Sequence, residues 1–268
     1  MYLHPNFDPV ALHLGPFKIH WYGLMYLVGF WGAWWLAVRR GRSAHAPFSA
    51  QAISDLMFYA ILGVILGGRI GYTLFYNLPS FLHEPSVIFR IWEGGMSFHG
   101  GLLGVLVAMA WFARRRGLPF FYVADFAAVV VPFGLMCGRI GNFINAELWG
   151  KATTLPWAMV FPNDPEQLPR HPSMLYEAIL EGPVMLAILW WFGSRARPQK
   201  AMSGLFLMLY AAFRWCVEFV RLPDQQIGYL AGGWLTMGQL LSLPMFVAGA
   251  LLFAWAYRRP EYAPAQAA

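Results

Sequence analysis

Polar side chains are concentrated in one segment of an otherwise apolar chain, residues 138–150, which reads Gly-Arg-Ile-Gly-Asn-Phe-Ile-Asn-Ala-Glu-Leu-Trp-Gly. A charged group at bilayer depth costs about 2.5–3.5 kcal/mol on insertion scales, so this cluster is improbable as packing filler. If the segment is helical, Arg139 and Asn142 share a face. The planar fork of Arg139 suits a phosphate or a carboxylate, Asn145 adds a neutral donor, and Glu147 would orient an arginine. The alternative interpretation is a buried Arg–Glu pair that joins two helices.

A second cluster is Phe98-His99-Gly100-Gly101, at the start of another apolar run. Histidine is the side chain most easily tuned to accept a proton near neutral pH, so His99 is a candidate base. Gly100, Gly101 and Gly104 would let a ligand or a neighbouring helix approach the backbone. A purely structural role, with His99 hydrogen-bonded across helices, is the alternative.

A third cluster contains Tyr210, Arg214 and Glu218, which are four residues apart and form one stripe along a helix. Glu218 can neutralise Arg214 or the following Arg221, and a structural ion-pair ladder is the alternative interpretation. The three clusters together supply two arginines, a candidate base and several neutral donors. This excess of arginine over carboxylate predicts an anionic ligand, most simply a phospholipid headgroup.

Composition predicts the setting of these clusters. The chain has 268 residues, of which 59% are hydrophobic and 12% charged, whereas soluble domains carry about 25% charged residues. The net charge of +6 comes from short basic clusters between apolar runs, which indicates membrane topology and argues against nucleic-acid binding. Cys137 and Cys216 lie in apolar surroundings and are expected to be buried thiols. No HExxH, CxxC, EF-hand or Walker pattern is present, so no metal or cofactor is predicted.

Seven apolar runs are long enough to cross about 30 Å of hydrocarbon. They lie near 19–38, 53–76, 96–113, 121–137, 174–192, 203–220 and 235–257. The sequence therefore predicts an all-α, polytopic integral membrane protein with seven transmembrane helices in a single domain, 1–268. Gly63, Gly67 and Gly71 repeat a small-xxx-small spacing that lets helices approach closely. Asp55 and Asp125, near the ends of two runs, are expected to cap or tie helices.

Most lysines and arginines follow the first, third, fifth and seventh runs, in the segments that contain Arg39, Arg114, Arg195 and Arg258. By the positive-inside rule the N-terminus then faces the outside and the C-terminus the cytoplasm. The longest outer connection, at about 148–173, is polar and rich in proline, so irregular structure over the outer face is expected.

The three clusters, at 99–101, 138–150 and 210–223, together resemble the bacterial prolipoprotein diacylglyceryl transferase family. The resemblance also includes His20-Trp21-Tyr22-Gly23, Gly67-Gly68-Arg69-Ile70-Gly71-Tyr72 and Arg170-His171-Pro172-Ser173. It covers nearly the whole chain, in order.

The resemblance implies transfer of the sn-1,2-diacylglyceryl group of phosphatidylglycerol to the lipobox cysteine of a prolipoprotein. The product is a thioether, glycerol phosphate leaves, and no cofactor is needed because the phosphoester supplies the leaving group. The implied partners are phosphatidylglycerol, prolipoprotein signal peptides with a lipobox cysteine, and the surrounding membrane lipids. The implied location is the bacterial inner membrane, multi-pass, with the active site toward the periplasm.

The resemblance also implies roles for individual residues. His99 would accept the thiol proton, and Arg139 and Arg214 would stabilise the charge of the leaving phosphate. The positions implied in binding phosphatidylglycerol are Arg139, Asn142, Tyr22, Glu147, Gly150, Tyr210, Glu218 and Arg69. His171 and Glu177 are further candidates. Three alternatives stay open: His99 as a headgroup ligand, a transporter or flippase for an anionic lipid, and a membrane scaffold held by ion pairs.

Overall fold

The computed structural model describes residues 2–15, 17–43, 48–90, 94–223 and 228–262. The helices are α1 Trp21–Gly41, α2 Ala50–Tyr76, α3 Leu78–His83, α4 Phe98–Arg115, α5 Phe120–Ala128, α6 Val131–Ile144, α7 Ser173–Ile179, α8 Met185–Phe192, α9 Ala201–Glu218 and α10 Met237–Arg258. The strands are β1 Tyr2–Leu3, β2 Val10–Leu14, β3 Phe17–His20 and β4 Met159–Val160. The protein is thus mostly helical, and the short strands are a feature that the all-α prediction missed.

The chain divides into two compact units. The first unit combines Met1–Ala37 with Asp125–Tyr262, and the second is Val38–Ala124. Each unit is described by itself.

In the second unit, α2 and α4 pack along their glycines. A Cβ added to Gly67 would lie 2.3 Å from the Gly100 carbonyl oxygen, and one added to Gly104 would lie 2.0 Å from that of Gly63. The predicted small-xxx-small contact is therefore confirmed, and Gly100 and Gly104 accommodate a neighbouring helix.

Asp55 ties the same two regions as predicted. Its Oδ2 lies 2.7 Å from Nη2 of Arg116, which follows α4. Ser49 and Ser97 cap the N-termini of α2 and α4, because their hydroxyls accept hydrogen bonds from the backbone N–H groups three residues on.

In the first unit, α9 packs against α10. A Cβ on Gly204 would lie 2.8 Å from the Gly249 carbonyl oxygen, so glycine again permits close contact. Asp125 accepts hydrogen bonds from the backbone N–H groups of Lys200 (2.7 Å) and Ser203 (2.8 Å), at the start of α9. The predicted role of Asp125 as a helix tie is confirmed. An apolar cluster of Val129, Met185, Leu189 and Met202 lies beside this contact.

Among the described residues, three helical segments are long and apolar enough to cross a membrane: Ala50–Tyr76, Ser173–Phe192 and Met237–Arg258. A fourth is reached if α5 and α6, bent by 49° at their junction, count as one span. Each of the seven predicted runs contains helix. Among the described residues, however, only these segments are long and apolar enough to count as membrane spans.

Two predicted helices are interrupted. The run at 121–137 is divided between α5 and α6, and Pro132 lies in the first turn of α6, where its missing N–H costs little. The run at 174–192 contains a π-helical turn, Leu180–Val184, between α7 and α8. Gly182 there has a non-helical backbone, and Pro183 has no N–H to donate.

The outer segments combine turns with short pairings. β1 pairs in parallel with β4, and β2 pairs antiparallel with β3. Isolated bridges join Gly150 to Arg221 and Ala152 to Arg170. The predicted outer loop is therefore largely irregular but is held to its neighbours by backbone hydrogen bonds.

Candidate active site

Three arginines of the first unit surround the carboxylate of Glu177, which is fully buried. Glu177 Oε2 lies 3.0 Å from Nη1 of Arg139, and Oε1 lies 3.2 Å from Nη1 of Arg221. Arg214 Nη1 also contacts Oε1. Helices α6, α7 and α9 therefore meet at one carboxylate.

Two more carboxylates complete this ion cluster, defined as Arg139, Glu177, Glu181, Arg214, Glu218 and Arg221. Glu181 contacts Arg139 through two atoms, at 3.1 and 3.4 Å. Glu218 lies 2.7 Å from Nη2 of Arg214 and 4.0 Å from Nε of Arg221. The sequence predicted pairing with one or the other, and the structure shows contacts with both.

The formal charges of the ion cluster balance, with three arginines against three glutamates. The predicted excess of arginine over carboxylate is therefore wrong here. The reason lies in the tertiary structure, because Glu177 and Glu181 belong to a different apolar run than Arg139 and Arg214. Local spacing does not predict which runs meet. The detectable signal was two glutamates at helical spacing within the apolar run 174–192.

The arginines are less deeply buried than the carboxylates that they contact. The side chains of Arg139 and Arg214 are 18% and 17% exposed, whereas their carboxylate partners are at most 4% exposed. A guanidinium has five N–H groups, and the carboxylate contacts of Arg139 use three of them. Within the described residues, the other two N–H groups of Arg139 are not taken up by these carboxylates.

Asn142 and Glu147 form a second contact, within the segment 138–150. Asn142 Nδ2 donates to Glu147 Oε1 at 2.7 Å, and Asn145 Nδ2 lies 3.4 Å from the same oxygen. Glu147 thus pairs with amides, and in the part of the chain that the structure describes it forms no ion pair with the arginine that it was expected to orient. The reason is local backbone geometry, since Ala146 and Leu148 on either side have φ of 52° and 62°. Such left-handed residues cost of order 1–3 kcal/mol each and occur where surroundings impose them.

Gly150 brings three segments together. Its N–H donates to the His171 carbonyl at 2.8 Å, and a Cβ at this position would lie 2.3 Å from the Val220 carbonyl oxygen. Gly150 also forms the bridge to Arg221. No side chain fits here, so Gly150 positions the backbone that carries Arg221.

Two tyrosines flank the ion cluster. Tyr22 packs on Gly141, where a Cβ would lie 2.8 Å from the ring. Tyr22 also lies close enough to Arg139 and Glu147 to interact with them electrostatically. Tyr210 stacks on Phe206, with 6.2 Å between the ring centroids, and it interacts electrostatically with Arg139. The structure therefore brings these tyrosines together with the predicted residues of α6 and α9.

His99 and Arg69 lie in the second unit. His99 is exposed in the first turn of α4 and lines a cleft of about 420 Å³ with Phe75, Tyr76 and Ser97.

Arg69 is buried, and its donors reach backbone carbonyls at 2.5–3.1 Å. These carbonyls belong to Val87, Ile88, Arg90, Gly94 and Gly95. Arg69 thus holds the segment before α4, and within the described residues it makes no contact with a carboxylate.

The outer loop contains a separate ion pair. Arg170 donates to both carboxylate oxygens of Asp164, at 2.5 and 3.0 Å, and this contact lowers the pKa of Asp164. Burial, with a smaller contribution from Lys151, lowers the pKa of His171. In the described part of the chain, no group of three or more His, Cys, Asp or Glu side chains could hold a metal ion.

Comparison with known proteins places the chain in a family. The family model described as prolipoprotein diacylglyceryl transferase matches residues 9–255. The chain belongs to this family. Relatives named phosphatidylglycerol–prolipoprotein diacylglyceryl transferase are 63% identical in Azotobacter vinelandii, over 96% of this chain and 97% of the relative, and 60% identical in Methylococcus capsulatus, over 97% and 99%. The relative of that name in Ectopseudomonas mendocina is 60% identical, over 96% of each chain. These matches do not favour the transporter or flippase alternative.

Proposed function

We propose that this chain transfers the sn-1,2-diacylglyceryl group of phosphatidylglycerol to the lipobox cysteine thiol of prolipoproteins. The observation that carries the proposal is the convergence of Arg139 and Arg214 on Glu177, with donors left over on partly exposed guanidinium groups. Family membership supports it, because relatives at 57–63% identity carry the name of this transferase.

The proposed reaction is a displacement at carbon. The cysteine sulfur attacks the glycerol carbon that carries the phosphate, a C–S bond forms, and the C–O bond breaks. The electron pair of that bond stays on the phosphate oxygen, so glycerol phosphate leaves. Negative charge grows on the phosphate in the transition state, where donors held in a dry site stabilise it most. The phosphoester itself is the leaving group, so the proposal requires no cofactor.

Arg139 and Arg214 are proposed to stabilise that charge. Three buried cations without partners would be costly, and the surrounding carboxylates offset this cost before the lipid arrives. Asn142, Glu147, Tyr22 and Tyr210 are proposed to contact the headgroup. Glu218 and Gly150 are proposed to act through the arginines that they hold.

Arg69 is proposed to contribute to lipid binding only indirectly. Its contacts favour a role in holding the segment before α4, because backbone carbonyls already take up its donors.

His99 is proposed as the base that accepts the thiol proton. An ordinary cysteine thiol has a pKa of about 8.5, so only a few per cent is thiolate at pH 7 and a base is useful. Its exposure on a cleft supports access by a peptide. The competing role, a ligand of the lipid headgroup, makes a different prediction that is tested below.

We propose that the chain forms one membrane-embedded domain in the bacterial inner membrane, with seven spans and the site toward the periplasm. Basic residues in the last turns of α1, α4 and α10 support a cytoplasmic location for those ends. The N-terminus and the outer loop at 148–173 would then be periplasmic. A reporter active only in the cytoplasm should work after Arg116 or Arg259, and activity at a fusion within 156–168 would overturn this orientation.

The proposed function is tested with the purified chain, phosphatidylglycerol vesicles and a lipobox peptide. Mass spectrometry should show the peptide gaining one diacylglyceryl group while phosphatidylglycerol is consumed. A peptide with alanine in place of the lipobox cysteine is the matched control and should stay unchanged. A transporter or a scaffold would leave both substrates intact.

A further inference from the structure

Glu181 lies in the π-helical turn Leu180–Val184, and the proposed reaction assigns it no role. Its side chain is 1% exposed. π-turns within helices occur frequently at functional sites. A Cβ on the next residue, Gly182, would lie 2.7 Å from Met136 Cβ, so the glycine allows α6 to approach this turn. The interrupted helix therefore brings the Glu181 carboxylate against α6.

Glu181 holds the Arg139 guanidinium along one edge. Arg139 Nε lies 3.1 Å from Glu181 Oε2, and Arg139 Nη2 lies 3.4 Å from Oε1. Two parallel contacts fix the orientation of the guanidinium plane as well as its position. Nη1 lies 3.0 Å from Glu177 Oε2. The contacts with Glu181 and Glu177 leave one N–H group on Nη1 and one on Nη2.

The two glutamates divide their contacts differently. Glu177 contacts all three arginines of the ion cluster. Within the described residues, the hydrogen bonds of Glu181 go to Arg139 alone. A change at Glu181 should therefore act on Arg139 and leave the pairing of Arg214 in place.

We propose that Glu181 is a positioning residue, which orients Arg139 toward the phosphate of the lipid and does not itself touch substrate. This inference rests on the proposed function. A donor that is misaligned still attracts the anionic headgroup, but it stabilises the growing charge of the transition state less well. Loss of Glu181 should therefore lower kcat more than it changes KM for phosphatidylglycerol.

The first test compares Glu181→Gln and Glu181→Asp with the control Glu84→Gln, which removes an exposed carboxylate that pairs with Arg90. The probes are phosphatidylglycerol vesicles and a lipobox peptide. Glu181→Gln should lower kcat by about 10- to 100-fold and change KM for phosphatidylglycerol by less than about 3-fold. Glu181→Asp keeps the charge with a shorter reach and should lie between wild type and Glu181→Gln. Glu84→Gln should behave as wild type.

A double-mutant cycle separates positioning from a structural role. Lysine at position 139 has no guanidinium edge to hold. In an Arg139→Lys background, Glu181→Gln should therefore change kcat by less than about 2-fold. Thermal unfolding of each variant is measured alongside, so a loss of folded protein is recognised and the Glu181→Asp result then decides.

The outcomes are distinct for the two proposals. If wild type transfers no lipid to the peptide, the proposed function fails. If wild type is active, three results overturn the inference alone: unchanged kcat in Glu181→Gln, a raised KM at normal kcat, or losses that multiply in the double variant. A kcat loss that vanishes in the Arg139→Lys background supports it.

Discussion

The α2–α4 interface and the ion cluster both join helices of an apolar chain, but they do so by opposite means. At the interface, glycines of the two helices face each other, and the Cβ positions of Gly67 and Gly104 would lie 2.3 and 2.0 Å from carbonyl oxygens of the facing helix. In the ion cluster, long charged side chains meet at Glu177. The first arrangement depends on van der Waals contact, and the second on charges that must neutralise one another.

This difference separates the two roles a membrane helix pair can have. At Gly67, Gly100 and Gly104 the nearest atoms of the facing helix are backbone atoms, so we expect this interface to contribute to stability. In the ion cluster, Arg139 and Arg214 are partly exposed, and among the described residues the carboxylates take up only some of the N–H groups of Arg139. Substitutions should therefore affect folding at the interface and catalysis in the cluster.

The largest effect is expected for His99→Asn. This variant tests whether α4 contributes a catalytic group in addition to the glycines that contact α2. Loss of a general base typically costs about 10²–10⁴-fold in rate. The variant should fold normally, since His99 is exposed. Initial rates of peptide lipidation at several pH values and lipid concentrations measure the effect.

The pH dependence then separates the two roles of His99. Raising the pH toward the thiol pKa of about 8.5 supplies thiolate from solution, so a variant that lacks only the base should recover part of its rate. Rescue by more phosphatidylglycerol, with no response to pH, would instead identify His99 as a headgroup ligand.

Arg139→Lys should lower turnover about 100-fold, although the positive charge remains. Lysine is a point charge and does not reproduce the contacts of the guanidinium fork with Glu181 and a phosphate. Turnover with phosphatidylglycerol and a lipobox peptide is the measurement. Arg90→Lys, at an exposed ion pair, is the control. Near-normal turnover of Arg139→Lys would contradict recognition by a fork.

Gly100→Ala should destabilise the fold and should affect rate only through the amount of folded protein. The added Cβ would lie 2.3 Å from the Gly67 carbonyl oxygen, and overpacking typically costs about 1–3 kcal/mol. The neighbouring Gly101→Ala is a matched control, because its Cβ would meet nothing closer than 3.5 Å. Thermal unfolding in detergent compares the two. Equal stability would show that close helix approach is not needed here.

The two regions also differ in how far the sequence predicts them. Glycine spacing in α2 predicted close helix contact, because the period of a helix is local and places residues four apart on one face. The stripe of Tyr210, Arg214 and Glu218 followed from the same rule. Asp55 and Asp125 were predicted as ties from their positions at the ends of apolar runs.

The parts of the site that the sequence did not predict depend on which helices meet. Glu181 was not selected, because its partner Arg139 is 42 residues away in sequence. The partner of Glu147 depends on the left-handed backbone of Ala146 and Leu148, which neither residue type favours. Arg69 was expected to bind phosphatidylglycerol, and the carbonyls that it contacts instead become close only through the fold of the segment before α4.

Glu218→Gln should lower turnover by about 10-fold with the fold intact. Glutamine keeps the shape but removes the charge that lies 2.7 Å from Arg214, so Arg214 is held less well in the transition state. Glu261→Gln, an exposed partner of Lys200, is the control. Normal kinetics combined with a lower unfolding temperature would instead favour a structural ion pair.

The smallest effect is expected for Asp164→Asn. This substitution breaks the ion pair between Asp164 and Arg170, which lies outside both regions. Asp164 accepts four hydrogen bonds, two from Arg170 and one each from the N–H groups of Glu166 and Leu168. Asparagine keeps one acceptor oxygen, so the loss of stability at pH 7 should be about 1 kcal/mol, with lipidation rate unchanged. Protease susceptibility of the outer loop measures it, with Glu166→Gln as the control.

The pH dependence of this loss has a definite sign. Because Arg170 lowers the pKa of Asp164 in the folded state, the carboxylate stabilises the loop above its ordinary pKa of 3.8. That contribution is lost as the pH falls below 3.8 through the folded-state pKa. The difference between wild type and Asp164→Asn should therefore be full at pH 7 and shrink in acid. A difference that stays constant down to the lowest pH would show that shape, and not the charge of Asp164, holds the loop.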